Sequence, residues 1–204
     1  MVICHGKKFI FIHNYKVAGT SVREALQVYT IRPLESYTNW IGQKLHVLPQ
    51  SSDFPDHITA PELKQQLAPK YFDNYYKFGF TRNPWDWQVS LYHFAIKDVT
   101  HGQHELTKKM SFAEYLQWRV NEDKHPQKEF MYDAQGNSLM DFIGKLETIE
   151  EDFKKITTHL GITATLPHSN KSNHQQYREY YTPELKELVA QHFKEDIELF
   201  GYEF

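Results

Sequence analysis

Lys8-Phe9-Ile10-Phe11-Ile12-His13-Asn14-Tyr15-Lys16-Val17-Ala18-Gly19-Thr20-Ser21 is the stretch on which the reading of this chain turns. The apolar run Phe9 to Ile12 has the length and composition of a buried strand. The segment after it opens a helix, whose apolar stripe is Val22, Ala25, Leu26 and Tyr29. A helix N-terminus presents unpaired backbone N–H groups and a partial positive charge. Gly19 permits close backbone approach, Lys16 brings a full charge, and Thr20 and Ser21 bring hydroxyls. With Ala18 between them, these residues make a turn suited to a phosphate or sulfate group. The turn is not the ATP-binding pattern G-x-x-x-x-G-K-[ST], because Lys16 precedes Gly19 and no earlier glycine lies in the loop.

A second strand-to-helix turn lies downstream. Tyr75 to Thr81 reads as a buried strand, and it delivers Arg82-Asn83-Pro84-Trp85-Asp86-Trp87-Gln88-Val89-Ser90 into a new helix. Asn83 is a good N-cap, Pro84 suits the first turn, and Asp86 complements the positive helix end. Arg82 thus stands at the strand exit, with Ser90 on the face shared by Asp86 and Trp87.

The order Lys, small residue, Gly, Thr, Ser after a strand resembles the 5′-phosphosulfate loop of sulfotransferases, which use 3′-phosphoadenosine 5′-phosphosulfate (PAPS). The R-N-P-W-D-x-x-x-S segment resembles their 3′-phosphate motif. The resemblance extends along nearly the whole chain, through Asp56-His57-Ile58-Thr59-Ala60, Asp141 to Glu147, Tyr177 to Thr182 and Phe200-Gly201-Tyr202, and it is to the carbohydrate-type branch and its small bacterial relatives. The departures are Val17, where Thr is common, and Gln88. The resemblance implies PAPS as donor, PAP (3′-phosphoadenosine 5′-phosphate) as product, a hydroxylated acceptor of the carbohydrate class, and no required metal. It assigns Arg82 and Ser90 to the 3′-phosphate, consistent with the fit of a guanidinium fork to phosphate oxygens. Lys171 and Ser172, in a late polar loop, would close over the nucleotide.

Alternating strands and helices predict an α/β fold: a P-loop-like parallel sheet with helices on both faces, one domain over 1–204, and ligands at the carboxyl ends of the strands. Thr59 with Glu62 forms a capping box opening a helix through Leu67. A further helix runs from Glu147 to Leu160 and stops at Gly161, and Thr182-Pro183 starts another, with the stripe Leu185, Leu188, Val189, Phe193 and Ile197. Residues 49–56, 100–109, 121–128 and 167–176 read as polar loops, where acceptor recognition would vary.

Composition bounds the function. With 204 residues, 40% hydrophobic, the chain has material for one substantial core. A net charge of −3 gives no global basic field for nucleic acid or an anionic membrane. Cys4 is the only cysteine, which excludes an internal disulfide and suits a reducing compartment. Lys7 and Lys8 interrupt any leader-like apolar segment at the start, so the expectation is a bacterial, cytoplasmic protein without membrane insertion.

Sulfuryl transfer needs a base for the acceptor and positive charge for the sulfuryl oxygens and departing phosphate. Lys16 suits the charge roles. Of the twelve histidines, His57 is preferred as base. It precedes a capped helix and resembles the catalytic His of uronosyl-type sulfotransferases. His13, ending the first strand beside the loop, is its rival. Trp85 and Trp87 read as core more readily than as stacking platforms, and His101-Gly102-Gln103-His104 lacks convincing metal-ligand partners. Two other functions compete with an active enzyme. One is a PAPS- or PAP-binding module without transfer activity, which Lys16 together with His57 argues against. The other is a P-loop kinase, disfavoured by the missing Walker order and by a 3′-phosphate motif that ATP would not use.

Overall fold

The computed structural model describes residues 1–31, 48–167 and 176–204. They fall into two compact units, one drawn from 1–81 and 127–169, the other from 82–126 and 170–204.

The first unit holds the sheet. Its strands are β1 (Val2–Cys4), β2 (Phe9–Ile12), β3 (Tyr76–Thr81) and β4 (Phe142–Lys145), in that spatial order. β2, β3 and β4 run parallel, with Phe11 opposite Phe78 and Phe78 opposite Phe142. β1 pairs antiparallel with β2, so the expected parallel sheet carries an added antiparallel edge. All four β2 residues are fully buried, as in a strand covered on both faces.

The two-residue alternation of a strand divides those residues between two cores. Phe9 and Phe11 join Phe78 and Phe80 beneath α1 (Gly19–Ile31), which contributes Val22 and Leu26. Ile10 and Ile12 face the opposite way, joining Ile58, Ala60, Leu63, Phe130 and Met131. Ala60 and Leu63 come from α2 (Ala60–Gln66), and α3 (Pro69–Phe72) adds Phe72. Helices therefore cover both faces. Each fully buried Phe or Ile contributes about 1.5–3 kcal/mol, so this two-sided burial is the main force holding β2 and the turn it feeds. The expected capping box is present at α2: the Thr59 hydroxyl accepts from Glu62 N, and the Glu62 carboxylate accepts from Thr59 N at 2.9 Å.

The second unit is helical. α4 (Pro84–Lys97) begins with Asn83 as N-cap, its side chain accepting from Trp85 N at 3.1 Å. A short helix, α5 (His104–Thr107), interrupts the segment read as a loop over 100–109. α6 (Phe112–Glu122) opens with a Ser111/Glu114 capping box. In the first unit, α7 (Ile149–Leu160) ends at Gly161, whose φ of 58° is the left-handed conformation glycine adopts without cost. The stripe after Thr182 spans two helices, α8 (Pro183–His192) and α9 (Lys194–Phe200), because Phe193 leaves helical geometry while staying buried. Trp85, Trp87, Val89, Tyr115, Leu116 and Phe193 form the core of this unit.

Candidate active site

The turn after β2 is built from strained backbone. Lys16 and Ala18 have φ of 56° and 59°, a region that costs a non-glycine residue energy and recurs at ligand-binding turns. Asn14, fully buried, holds the entry: its carbonyl oxygen accepts from Tyr15 N at 2.7 Å, and its amide donates to Gln127 at 3.2 Å. Val17 is buried in the core beneath α1, so the position where Thr is common in similar loops serves packing here. Ser21 is buried, Lys16 and Ala18 half-buried, and Thr20 exposed at the start of α1.

Gly19 has a second role. A Cβ there would lie 1.8 Å from His13 Cδ2 and Nε2. The space a side chain would occupy at the head of α1 is filled by the His13 imidazole, so the close approach inferred from sequence is made first of all by this residue. His13 is buried, and its Nδ1 has no hydrogen-bond partner among the described residues. Burial, then the neighbouring His57, pushes its pKa down to about 3.

His57 is half-buried on the approach to α2. Its Nδ1 lies 2.8 Å from the His13 carbonyl oxygen. A carbonyl only accepts, so Nδ1 carries the hydrogen and the neutral ring bears its lone pair on Nε2. The ring packs against Tyr15 at 4.0 Å and against His13 at 4.4 Å. Burial lowers the His57 pKa, with the His13 carbonyl opposing, so the neutral form dominates at neutral pH. Beside it, Asp56 accepts from Arg23 of α1 at 2.8 Å, and this pair holds the Asp56 carboxyl below its usual range. The structure thus brings together both histidines weighed as bases, and gives them different environments.

In the second unit, Arg82 is buried and its Nε donates to Asp86 at 2.8 Å, one helical turn on. Ser90 is buried on α4. Trp85 and Trp87 are core residues: Trp85 Nε1 donates to the Lys186 carbonyl at 3.0 Å, and Trp87 meets Phe193 edge-on. His101, in the bend before α5, and His104, which opens α5, are both half-buried, with His104 Nδ1 3.1 Å from the Ala95 carbonyl. The Arg178 guanidinium stacks over Tyr177 at 4.9 Å and Phe204 at 5.7 Å. Lys171 and Ser172 lie outside the described residues. No group of three or more His, Cys, Asp or Glu among the described residues is arranged to hold a metal ion. None of the described helices is long and apolar enough to cross a membrane.

Sequence reasoning passed over Tyr15 and Asn14. An Asn at a strand exit is a recognisable turn signal, since its side chain bonds nearby backbone. Tyr15 had no such signal, because its partners His57 and Phe130 are remote in sequence.

The profile of the Sulfotransferase family matches residues 1–203. The chain belongs to the sulfotransferase family. That membership makes it a transferase whose chemistry is sulfuryl transfer in the general sense. An uncharacterized protein of Archaeoglobus fulgidus is 30% identical over 108 residues, 51% of this chain and 82% of that protein. Among solved structures, mouse sulfotransferase SULT7A1 complexed with PAP has a TM-score of 0.58 at 16% identity, covering 96% of this chain and 86% of that one. At that identity the likeness is one of fold. A sulfotransferase from Alicyclobacillus acidocaldarius aligns over 95% of this chain and 96% of its own, with a TM-score of 0.47 and 16% identity. The α/β sulfotransferase fold expected from the two strand-to-helix turns is the fold found.

Proposed function

We propose that the whole chain, as one sulfotransferase domain, moves a sulfuryl group from PAPS to a hydroxyl of a carbohydrate acceptor, with His57 as the general base. The observation that carries this reading is the 2.8 Å hydrogen bond from His57 Nδ1 to the His13 carbonyl. It leaves the basic lone pair on Nε2 of a ring kept neutral by burial, which is the state a base must have before an acceptor hydroxyl arrives. The acceptor oxygen bonds to sulfur as the bond from sulfur to the bridging phosphate oxygen breaks, and the hydroxyl proton passes to His57 Nε2. His13, buried and with a pKa pushed to about 3, is a poor proton acceptor, which favours His57 over its rival.

Lys16, Ala18, Gly19, Thr20 and Ser21 are assigned to the 5′-phosphosulfate. The positive φ values at Lys16 and Ala18 and the helix start at Gly19 support a turn whose backbone N–H groups receive an anion. Lys16 adds charge to steady the departing phosphate. Arg82 and Ser90 are assigned to the 3′-phosphate, with the Asp86 contact on Nε orienting the guanidinium. Lys171 and Ser172 complete the nucleotide site in this reading, and no metal is required. A cytoplasmic location belongs to the same proposal; the single, buried Cys4 accords with it.

The test is transfer of label from PAPS to a panel of sugar, lipid, phenol and peptide acceptors, with EDTA present. Labelled sugar product with PAP released is the expected result. Transfer confined to phenols or peptides would refute the acceptor class, and absence of transfer together with absence of PAP binding would refute the donor.

A further inference from the structure

A single hydrogen bond does not fix an imidazole. The His57 Nδ1 contact with the His13 carbonyl sets the tautomer, but the torsion that turns a histidine ring about its Cβ–Cγ bond is broad and soft. What restrains that torsion here is a row of rings within the first unit. Phe78 stacks on Phe11 at 5.4 Å, Phe11 on His13 at 5.7 Å, His13 meets His57 at 4.4 Å, and His57 stacks on Tyr15 at 4.0 Å with 27° between the planes. Phe130 then meets Tyr15 at 5.5 Å and 89°, an edge-to-face contact from a buried residue.

The inner members of this row are core residues. Tyr15 is not: 44% of its surface is exposed, yet its ring lies against an imidazole. It also sits immediately before Lys16, in the turn itself. A bulky aromatic in that place covers part of the base, beside a turn in which Lys16 and Ala18 are half-buried and Thr20 is exposed.

We propose that Tyr15 is the positioning residue of His57: its ring, braced by Phe130, presses the imidazole toward His13 and so fixes the direction of Nε2. The proposal rests on the reading of His57 as base, and it adds that the residue preceding the loop lysine couples the phosphosulfate turn to the acceptor side. The charged and titratable groups around His57 include the Met1 ammonium, Asp56, Arg23, the His13 imidazole and the Tyr15 phenol itself. Replacing Tyr15 leaves the other groups in place, and the ring contact with His57 is what Tyr15→Phe keeps and Tyr15→Leu removes.

Two readouts separate positioning from catalysis. The His57 ring proton, assigned by its loss in His57→Ala, is titrated by NMR in the wild type, Tyr15→Leu and Tyr15→Phe, and turnover with PAPS is measured in parallel. In Tyr15→Leu water reaches the imidazole, the His57 titration moves up toward the ordinary histidine value of about 6.5, and kcat falls about 10- to 100-fold with little change in KM for PAPS. Tyr15→Phe keeps the ring and restores both readouts. A folded Tyr15→Leu protein with unchanged titration and kcat overturns the proposal, as does a Tyr15→Phe loss equal to that of Leu, which would assign the effect to the hydroxyl. If the wild type transfers no sulfuryl group, the proposed function fails, and the NMR titration still decides whether Tyr15 restrains the ring.

Discussion

Gly19→Ala places one methyl group where the His13 imidazole already lies. The added Cβ would sit 1.8 Å from two ring atoms and 2.8 Å from a third, against a floor of 3.0 Å for real Cβ contacts. The ring cannot swing away freely, because it is buried, stacked on Phe11 and in contact with His57. Overpacking of this kind costs about 1–3 kcal/mol. Set against up to about 1 kcal/mol of helix propensity that alanine returns at the head of α1, the net loss is about 0–3 kcal/mol. For a chain of this length each kcal/mol lost lowers Tm by about 2–4 °C, readable by circular dichroism. The decisive form is a double-mutant cycle with His13→Ala. Removing the ring opens the space, so Gly19→Ala should become neutral or favourable in that background, with a coupling of about 1 kcal/mol or more. Equal destabilisation by Gly19→Ala in both backgrounds would show that the imidazole does not occupy the space over Gly19, and the account of the turn would fall with it.

Arg82→Ala should reduce discrimination between PAPS and adenosine 5′-phosphosulfate more than Ser90→Ala does, since charge-assisted hydrogen bonds are about twice as strong as neutral ones; equal weakening for both nucleotides would make Arg82 a structural partner of Asp86 alone. The stability of the protein should fall with acid partly through His13. Its folded pKa of about 3 lies below the unfolded value of about 6.5, so the unfolded chain binds more protons between those limits. The stabilisation is complete above about pH 6.5 and lost as pH drops toward 3, and urea denaturation of His13→Ala across that window should show a shallower slope than wild type. An unchanged slope would mean that His13 is not held neutral by the fold.

Much of the frame was legible because it rests on local rules. Phe9–Ile12 and Tyr75–Thr81 read as strands from apolar runs, the second found one residue shorter as Tyr76–Thr81, and Thr59, Asn83 and Thr182 read as caps from side-chain chemistry that acts within a few residues. β1 was not legible: three residues carry no periodicity, and their pairing with β2 depends on the hairpin that folds them back. The Ser111/Glu114 capping box and the stripe Phe112, Tyr115, Leu116 and Val120 behind it were also present in the sequence and went unread. For the candidate site, Lys16, Gly19 and His57 could be named from motif and spacing. The ring row through Phe11, His13, His57, Tyr15 and Phe130 could not, because it joins side chains up to more than a hundred positions apart through tertiary packing. Gly19 shows the difference within one residue. Its smallness was evident, whereas the imidazole that requires it became visible only in three dimensions.

The most direct test of the account compares His57→Ala with His13→Ala in single-turnover sulfuryl transfer from PAPS, alongside the PAP affinity of each variant. His57→Ala is predicted to bind PAP nearly as wild type and to lose about 10²- to 10⁴-fold in turnover, the usual worth of a positioned acid–base group. Binding and chemistry then separate at one residue. His13→Ala should lose less turnover, through the loosened His57 ring. If His13→Ala instead abolishes transfer with PAP binding intact while His57→Ala remains active, the base is His13 and the central claim is wrong.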